Sequence, residues 1–365
     1  MVITHFVSDG FNEYNSSRWR VSNTTDVLIA AGHDVHIISI QEWIRQSPFA
    51  RMICELSDIV FIHRVSVRDS IRAIEYWTKR GKAIVLDFDD SYDNLVGDTN
   101  PAKKFWINGV VQVKKSNGWS GEQILEEHPL ETLKEAISKC TATTVPSKVL
   151  VSDWEKYGTV MYLENYINSE AYLNIRKFES SDNAIRIGWG GSLGHIASFE
   201  NSGVVEALSL LLKEHSNVAF FLIGDKRIID LLPFKDSIIF RPYVTYKDWA
   251  EIVSRYDIGI APLAGEFDKR RSPIKLTEYC TMGIPFVATY DPAENYVVYE
   301  NYKNANGFLI KNGSDSWYNA LKDLVTNLEK RKLEASKNIE VASKYFAKNN
   351  VASILNVYSK IIGLT

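Results

Sequence analysis

The sequence predicts an α/β protein made of two successive halves, each a parallel sheet covered by helices. Three observations predict it. Short apolar runs alternate with stretches of helical periodicity along most of the chain. That alternation breaks once, in a polar stretch over residues 168–184 containing Ser180, Ser181 and Asp182, and then restarts in the same order. The length, 365 residues, suits two domains at about 100–200 residues each.

In the first half, residues 2–7 read as a strand and 8–20 as a polar loop. Residues 21–31 read as a helix ended by Gly32, and 35–40 as a strand. Strands follow at 59–63 and 83–88, around a helix at 67–80 closed by Gly81. A helix ends over 134–139 and a short strand occupies 142–145. The second half opens with a strand at 185–189, a glycine-rich loop at 190–194 and a helix at 204–214. Strands at 218–223, 238–240, 258–262 and 286–289 alternate with helices at 246–256 and 274–282. Residues 314–362 read as mostly helical. Open α/β sheets bind ligands beyond the carboxyl ends of their strands, so two such halves facing each other would share a site in the cleft between them.

Composition narrows the function classes. With 45% hydrophobic and 24% charged residues, the chain is neither a long disordered segment nor a fibrous or disulfide-stapled scaffold. The 42 basic and 45 acidic residues give a net charge of −3 and no overall field toward nucleic acid or anionic lipid, although a local basic patch stays open. Cys54, Cys140 and Cys280 are few, odd in number and far apart, which fits buried thiols in a reducing compartment. No secretory leader is legible and no window reaches the roughly 18–20 apolar residues of a membrane span. A cytoplasmic protein is expected.

Residues 257–289 carry the densest chemical signal. After a strand ending at Pro262, a polar loop brings Lys269, Arg270 and Arg271 to a helix opening near Ser272 and Pro273. Ser272 suits the N-cap and Pro273 the first helical position. Helix N-termini attract anions through unpaired N–H groups and the helix dipole, so basic residues there suggest a diphosphate site. Lys275 and Glu278, three apart, share a helical face, and that pair suits phosphate and ribose respectively.

These residues, "SPIKLTEYCTMGIPFVAT", resemble the C-terminal signature of GT-B glycosyltransferases of the group-1 type, glycosyltransferase family four. Further matches follow in the family's order: "GHDVHIISI", "IVLDFDDSYD", "TATTVPSKVL", "YLENYIN" and "IGWGGSLGH". The resemblance covers most of the chain. It implies two Rossmann-like domains facing across a cleft. Residues 1–168 would bind the acceptor, 169–184 would link the domains, and 185–340 would hold a nucleoside-diphosphate sugar. Residues 341–365 would form a C-terminal helix packing back on the N-domain. No metal or other cofactor is implied. The family pattern E-x7-E is broken, because Arg270 stands at its first position while Glu278 keeps the second. By resemblance Lys275 meets the diphosphate and Glu278 the ribose.

Other candidates come from position in this scheme. Gly190, Gly191, Ser192 and His195 follow a strand and precede a helix; they either let backbone approach phosphate or form a plain turn. Leu276 and Ser272 lie on the helix opening, and Asp225 and Lys226 close the next strand, where a nucleotide would end. In the N-domain Asp89 and Asp90 are candidates for catalysis or acceptor binding, with loop capping as the alternative. Strand alternation puts Asp87 and Asp89 on one face. Arg271 is a third catalytic candidate, neutralising the departing diphosphate. Ser17, Arg18 and Arg20 in the first loop, and Arg64 past the third strand, are candidates for substrate; a salt bridge opening the helix is the other reading of the arginines. Residues 103–119 interleave lysines with aromatics, which suits an acceptor-reading insertion or a solvated one. The expected reaction is sugar transfer from a nucleoside-diphosphate sugar, with retention, to a saccharide or lipid-linked saccharide, with peripheral membrane contact allowed. Glycosylation of hydroxymethylated DNA, epimerisation of a nucleotide sugar, and non-catalytic nucleotide-sugar or glycan binding are the alternatives.

Overall fold

The computed structural model describes residues 1–8, 16–64, 67–98, 100–114, 120–175, 183–332 and 335–365. The chain divides into two compact units. One takes the residues up to Tyr166 and returns for Asn350–Thr365; the other takes Ile167–Asn349.

The first unit is built on β1 (Val2–Val7), β2 (Asp34–Ser39), β3 (Ile59–His63) and β4 (Ala83–Asp87). A hairpin of β5 (Val110–Lys114) and β6 (Ser120–Ile124) precedes β7 (Ala142–Val145) and β8 (Val160–Tyr162). Six of these strands form one parallel sheet in the order β2-β1-β3-β4-β7-β8; β5 and β6 pair antiparallel on their own. β3 and β4 are buried along their whole length, which is why they read as unbroken apolar runs. The helix Val351–Ile362 belongs to this unit. It buries Ile354, Tyr358 and Ile361, and the Tyr358 ring lies 4.8 Å from that of Phe61 on β3.

The second unit has β9 (Ile185–Gly191), β10 (Val218–Gly224), β11 (Ile238–Pro242), β12 (Ile258–Ala261), β13 (Phe286–Thr289) and β14 (Gly307–Ile310). All are parallel, in the order β11-β10-β9-β12-β13-β14. Both sheets are Rossmann-like. Their order reverses between β1 and β3 in one unit and between β9 and β12 in the other. At such a point the flanking connections leave in opposite directions, opening a crevice at the carboxyl ends. Among the described residues no helix is long and apolar enough to cross a membrane.

Several expectations need correction. Gly190 and Gly191 end β9 rather than forming a loop. A Cβ on Gly190 would come within 2.4 Å of the Trp249 ring, so packing alone demands glycine there. The N-cap of the helix Ile274–Thr281 falls on Pro273, one residue past Ser272. Residues 18–20, expected as loop, belong to a π-helical turn, Arg18–Ser22, that leads into the helix Asn23–Ala30. Two helices between β2 and β3, Ile40–Arg45 and Pro48–Leu56, went unread. The second carried a legible start: Ser47 Oγ accepts from the Ala50 N–H at 3.1 Å, with Pro48 in the first turn.

Gly224 closes β10 with φ +130°, and a Cβ there would meet the Gly191 carbonyl oxygen at 2.1 Å. Gly190→Ala is expected to cost about 1–3 kcal/mol by overpacking. Gly224→Ala should cost more, because backbone cannot rotate away as a side chain can. Urea-unfolding midpoints of the two variants check this order.

Candidate functional site

The predicted residues fall into two groups, one at the carboxyl ends of each sheet. In the second unit, the helix Ile274–Thr281 starts beside the end of β9. Lys275 Nζ donates to the Gly190 carbonyl and lies 5.0 Å from the centroid of the Trp189 ring. Burial, then the neighbouring Arg271, push the Lys275 ammonium down to about 7. Arg271 spans His195: its Nη1 is 2.8 Å from Nδ1 and its Nη2 3.3 Å from Nε2. Burial, then Arg271 and Lys275, hold the imidazole pKa well below its usual value, so His195 is neutral. A neutral ring has one acceptor, so it can take one hydrogen bond from this guanidinium. One permanent cation, one titratable cation, a neutral imidazole and the start of a helix thus meet at the reversal point, a combination suited to a phosphate chain.

Glu278 sits deeper than expected. It is 2% exposed, and Oε1 accepts from Tyr172 Oη at 2.7 Å and from Trp249 Nε1 at 2.8 Å. The structure makes it a buried hub that joins its own helix to the helix Tyr246–Val253 and to the turn Glu170–Leu173. Nothing in the spacing of the signature could reveal those partners, which arrive from 106 and 29 residues away.

The remaining residues of this group differ in kind. Leu276 is wholly buried, so only its backbone can meet a ligand. The Asp225 carboxylate is already clamped on Arg227, accepting from its backbone N–H at 3.0 Å and from its guanidinium Nε at 2.9 Å. That pairing lowers the Asp225 pKa. Lys226 is exposed and Ser272 half-buried. Ser192 hydrogen-bonds Tyr243, whose hydroxyl also donates to the Gly191 carbonyl at 3.3 Å. Sequence reasoning missed Tyr243. It also missed Asp268, a carboxylate 1% exposed whose Oδ1 is 3.5 Å from Arg271 Nη1.

In the first unit, Arg20 takes the salt-bridge role that was the other reading of the first-loop arginines. It is 5% exposed and grips Asp87 with both arms, Nε to Oδ1 at 3.0 Å and Nη2 to Oδ2 at 2.7 Å. Nη1 donates to the Leu163 carbonyl and to Asn165 Oδ1 at 2.6 and 2.9 Å. Asp87 also accepts from Thr144 Oγ1 at 2.6 Å and faces His63 Nδ1 at 3.0 Å. Burial pushes the Asp87 carboxyl up, but Arg20 and His63 outweigh it and hold it well below the usual range. Behind His63 lies His5, its Nδ1 3.3 Å from His63 Nε2, and burial with that neighbour pushes His5 down to about 3.

Above this buried pair the structure gathers Arg64, Asp89 and Asp90. Arg64 takes the left-handed conformation, φ 57°, rare for a residue with a Cβ, and its N–H donates to the Asp87 carbonyl at 3.1 Å. Its Nε is 3.7 Å from Asp89 Oδ1. The Asp89 side chain is 11% exposed, and burial, then Asp90, push it up to about 7. Ser17 is buried and Arg18 half-buried at the start of the π-helical turn. In the basic–aromatic stretch, Lys103 pairs with Asp98 and Lys104 with Glu122, each at 2.8 Å, while buried Trp106 stacks on Tyr92 with centroids 4.1 Å apart. Those lysines and that ring are therefore spoken for; residues 115–119 lie outside the described residues.

Residues 187–327 match the family model described as glycosyl transferases group 1. No curated protein matches the chain. Among solved structures, the sucrose-phosphate synthase of Thermosynechococcus elongatus is similar over 100% of both chains, with a TM-score of 0.61 at 11% identity. HepE of Anabaena, solved in complex with UDP-glucose, is similar over 98% of this chain and 100% of its own, with a TM-score of 0.60 at 14% identity. A glycosyltransferase from Rickettsia africae matches over 99% and 98%, with a TM-score of 0.60 at 17% identity. The fold is thus GT-B, and residues 187–327 of its second unit are similar to the group 1 glycosyl transferase model.

Two outcomes follow from the first unit. Arg20→Ala strands the Asp87 charge in the core and should cost about 3–5 kcal/mol of stability, measured by chemical unfolding. Asp89 has a folded pKa raised above its unfolded value, so its stabilising share is complete at low pH and is lost as pH rises through about 7. Asp89→Asn should therefore gain in Tm over the wild type progressively as pH rises from about 4 to about 7, and hold that margin at pH 8.

Proposed function

We propose that this protein transfers a sugar from a nucleoside-diphosphate sugar to an acceptor hydroxyl. The observation that carries the reading is the Arg271–His195–Lys275 cluster beside the end of β9, at the start of Ile274–Thr281. Arg271 and Lys275 neutralise the diphosphate and stabilise it as it leaves, and His195 hydrogen-bonds it as a neutral imidazole. Gly191, Ser192 and Tyr243 line the neighbouring strand ends, where the nucleoside is proposed to extend. Glu278 shapes the floor of this site through Trp249 and Tyr172, and reaches the ribose when those partners yield its oxygen. Because HepE was solved with UDP-glucose, a UDP-sugar is the first donor to test.

Asp89 and Asp90, with Arg64 and Arg18, form the proposed acceptor side. The acceptor is a saccharide or a lipid-linked saccharide, and the protein works without a metal. With a charge-stabilising diphosphate site and no base required, transfer proceeds with retention at the anomeric carbon. One observation favours inversion as a second reading: a carboxyl near 7, as at Asp89, is tuned for a general base. The anomeric configuration of the product, read by NMR, separates the two.

The donor site is tested by calorimetry and thermal shift with UDP-, GDP-, ADP-, TDP- and CMP-sugars in EDTA. One nucleotide class should stabilise the protein, with slow release of its nucleotide. Lys275→Ala and Arg271→Ala should each weaken binding by about tenfold or more. Affinity in the wild type should fall as pH rises through about 7, where Lys275 loses its proton. Unchanged affinity in both variants would sink this placement of the donor.

A further inference from the structure

Asp268 is a buried anion next to a site read as binding anions. Taken alone, that arrangement is unfavourable: a carboxylate out of water repels a diphosphate nearby, and its own burial is costly. The contacts of Asp268 explain what offsets this. Its Oδ2 accepts from Ser198 Oγ at 2.5 Å and from the Ala264 backbone N–H at 2.7 Å. Its Oδ1 has no hydrogen bond and faces Arg271 Nη1 at 3.5 Å. Ser198 lies on the helix Ile196–Ser202, which begins directly after His195. Ala264 follows β12. One carboxylate thus ties the helix after His195 and the end of β12 to the loop that carries Arg271.

We propose that Asp268 is a positioning residue of the donor site, holding the Arg271 guanidinium against His195 before the diphosphate arrives. This rests on the donor reading given above. Arg271 would otherwise be a long side chain with several rotamers, and fixing it beforehand removes that entropy from the binding step. The loop supplies the geometry. Asp268–Arg270 forms one 3₁₀ turn, and Arg271 follows it in an extended conformation. Of the other groups near Lys275, Arg271 lowers its pKa, whereas Glu278 and Asp268 raise it; His195 is neutral.

The test has a sign that simple electrostatics does not share. Removing a negative charge beside an anion site should tighten anion binding; removing a positioning group should weaken it. Inorganic pyrophosphate is titrated calorimetrically into the full-length wild type, Asp268→Asn, Arg271→Ala and the double variant at pH 6, below the Lys275 midpoint. The expected result is binding about tenfold weaker in Asp268→Asn, and a double variant no weaker than Arg271→Ala. The pH midpoint of pyrophosphate binding should also move down in Asp268→Asn, since Lys275 loses a favourable neighbour. Should Asp268→Asn fail to fold, Ser198→Ala keeps the charge but frees its orientation, and binding about threefold weaker or more is expected. Equal or tighter binding in a folded Asp268→Asn, or unchanged binding in Ser198→Ala when it stands in for Asp268→Asn, overturns the proposal. No pyrophosphate binding by the wild type overturns the donor reading itself, and this inference with it.

Discussion

A parallel sheet covered by helices on both faces leaves polar groups little room except at its strand ends. β3 and β4 are buried throughout, and the first polar side chains after their apolar runs are His63 and Asp87 at their carboxyl ends. β9 ends in two glycines because tryptophan rings fill the space beside them. Charge therefore collects where the strands stop, and there it must be paired, hydrogen-bonded or shifted in pKa.

The two units solve this problem in different ways. In the first, the pairing is closed: Arg20 and His63 surround Asp87, and the guanidinium of Arg20 is engaged by carboxylate, amide and backbone oxygen together. Such a network fixes the edge of the sheet on which Arg64 and Asp89 stand. In the second, the pairing is looser. Arg271 and Lys275 crowd a neutral His195, while Asp268 and Glu278 oppose them electrostatically. Two buried cations pressed against one another are a poor way to stabilise a fold and a sound way to receive a diphosphate.

The sequence made most of the sheet legible and less of the site. Fully buried strands announce themselves as apolar runs, so β1, β3, β4, β7, β10 and β13 could be read with errors of a residue or so. The segment around the helix Ile274–Thr281 was legible because a strand, a basic loop, a helix start and a glycine turn come in a fixed order within one short stretch. The hairpin β5–β6 was not, since its residues lack a clean alternation. The two arginines of the first loop looked equivalent in sequence. Packing decided the role of one of them: Arg20 met a carboxylate 67 residues away. Asp268 looked like one more charge in a solvated loop, and its burial depends on Ser198, 70 residues earlier.

What the sequence determined by itself was the alternation of elements, the break between two halves and the order of strand, basic loop and helix start before Ile274–Thr281, because these rest on local periodicity and local order. What only the tertiary structure decided was the state of each ionisable group. Whether Glu278 faces solvent or holds Tyr172 and Trp249, whether Lys275 titrates near 7, and which arginine is committed to a buried pair all turn on desolvation and on neighbours distant in sequence. Desolvation belongs to the surroundings in three dimensions, and no local pattern of residues encodes it.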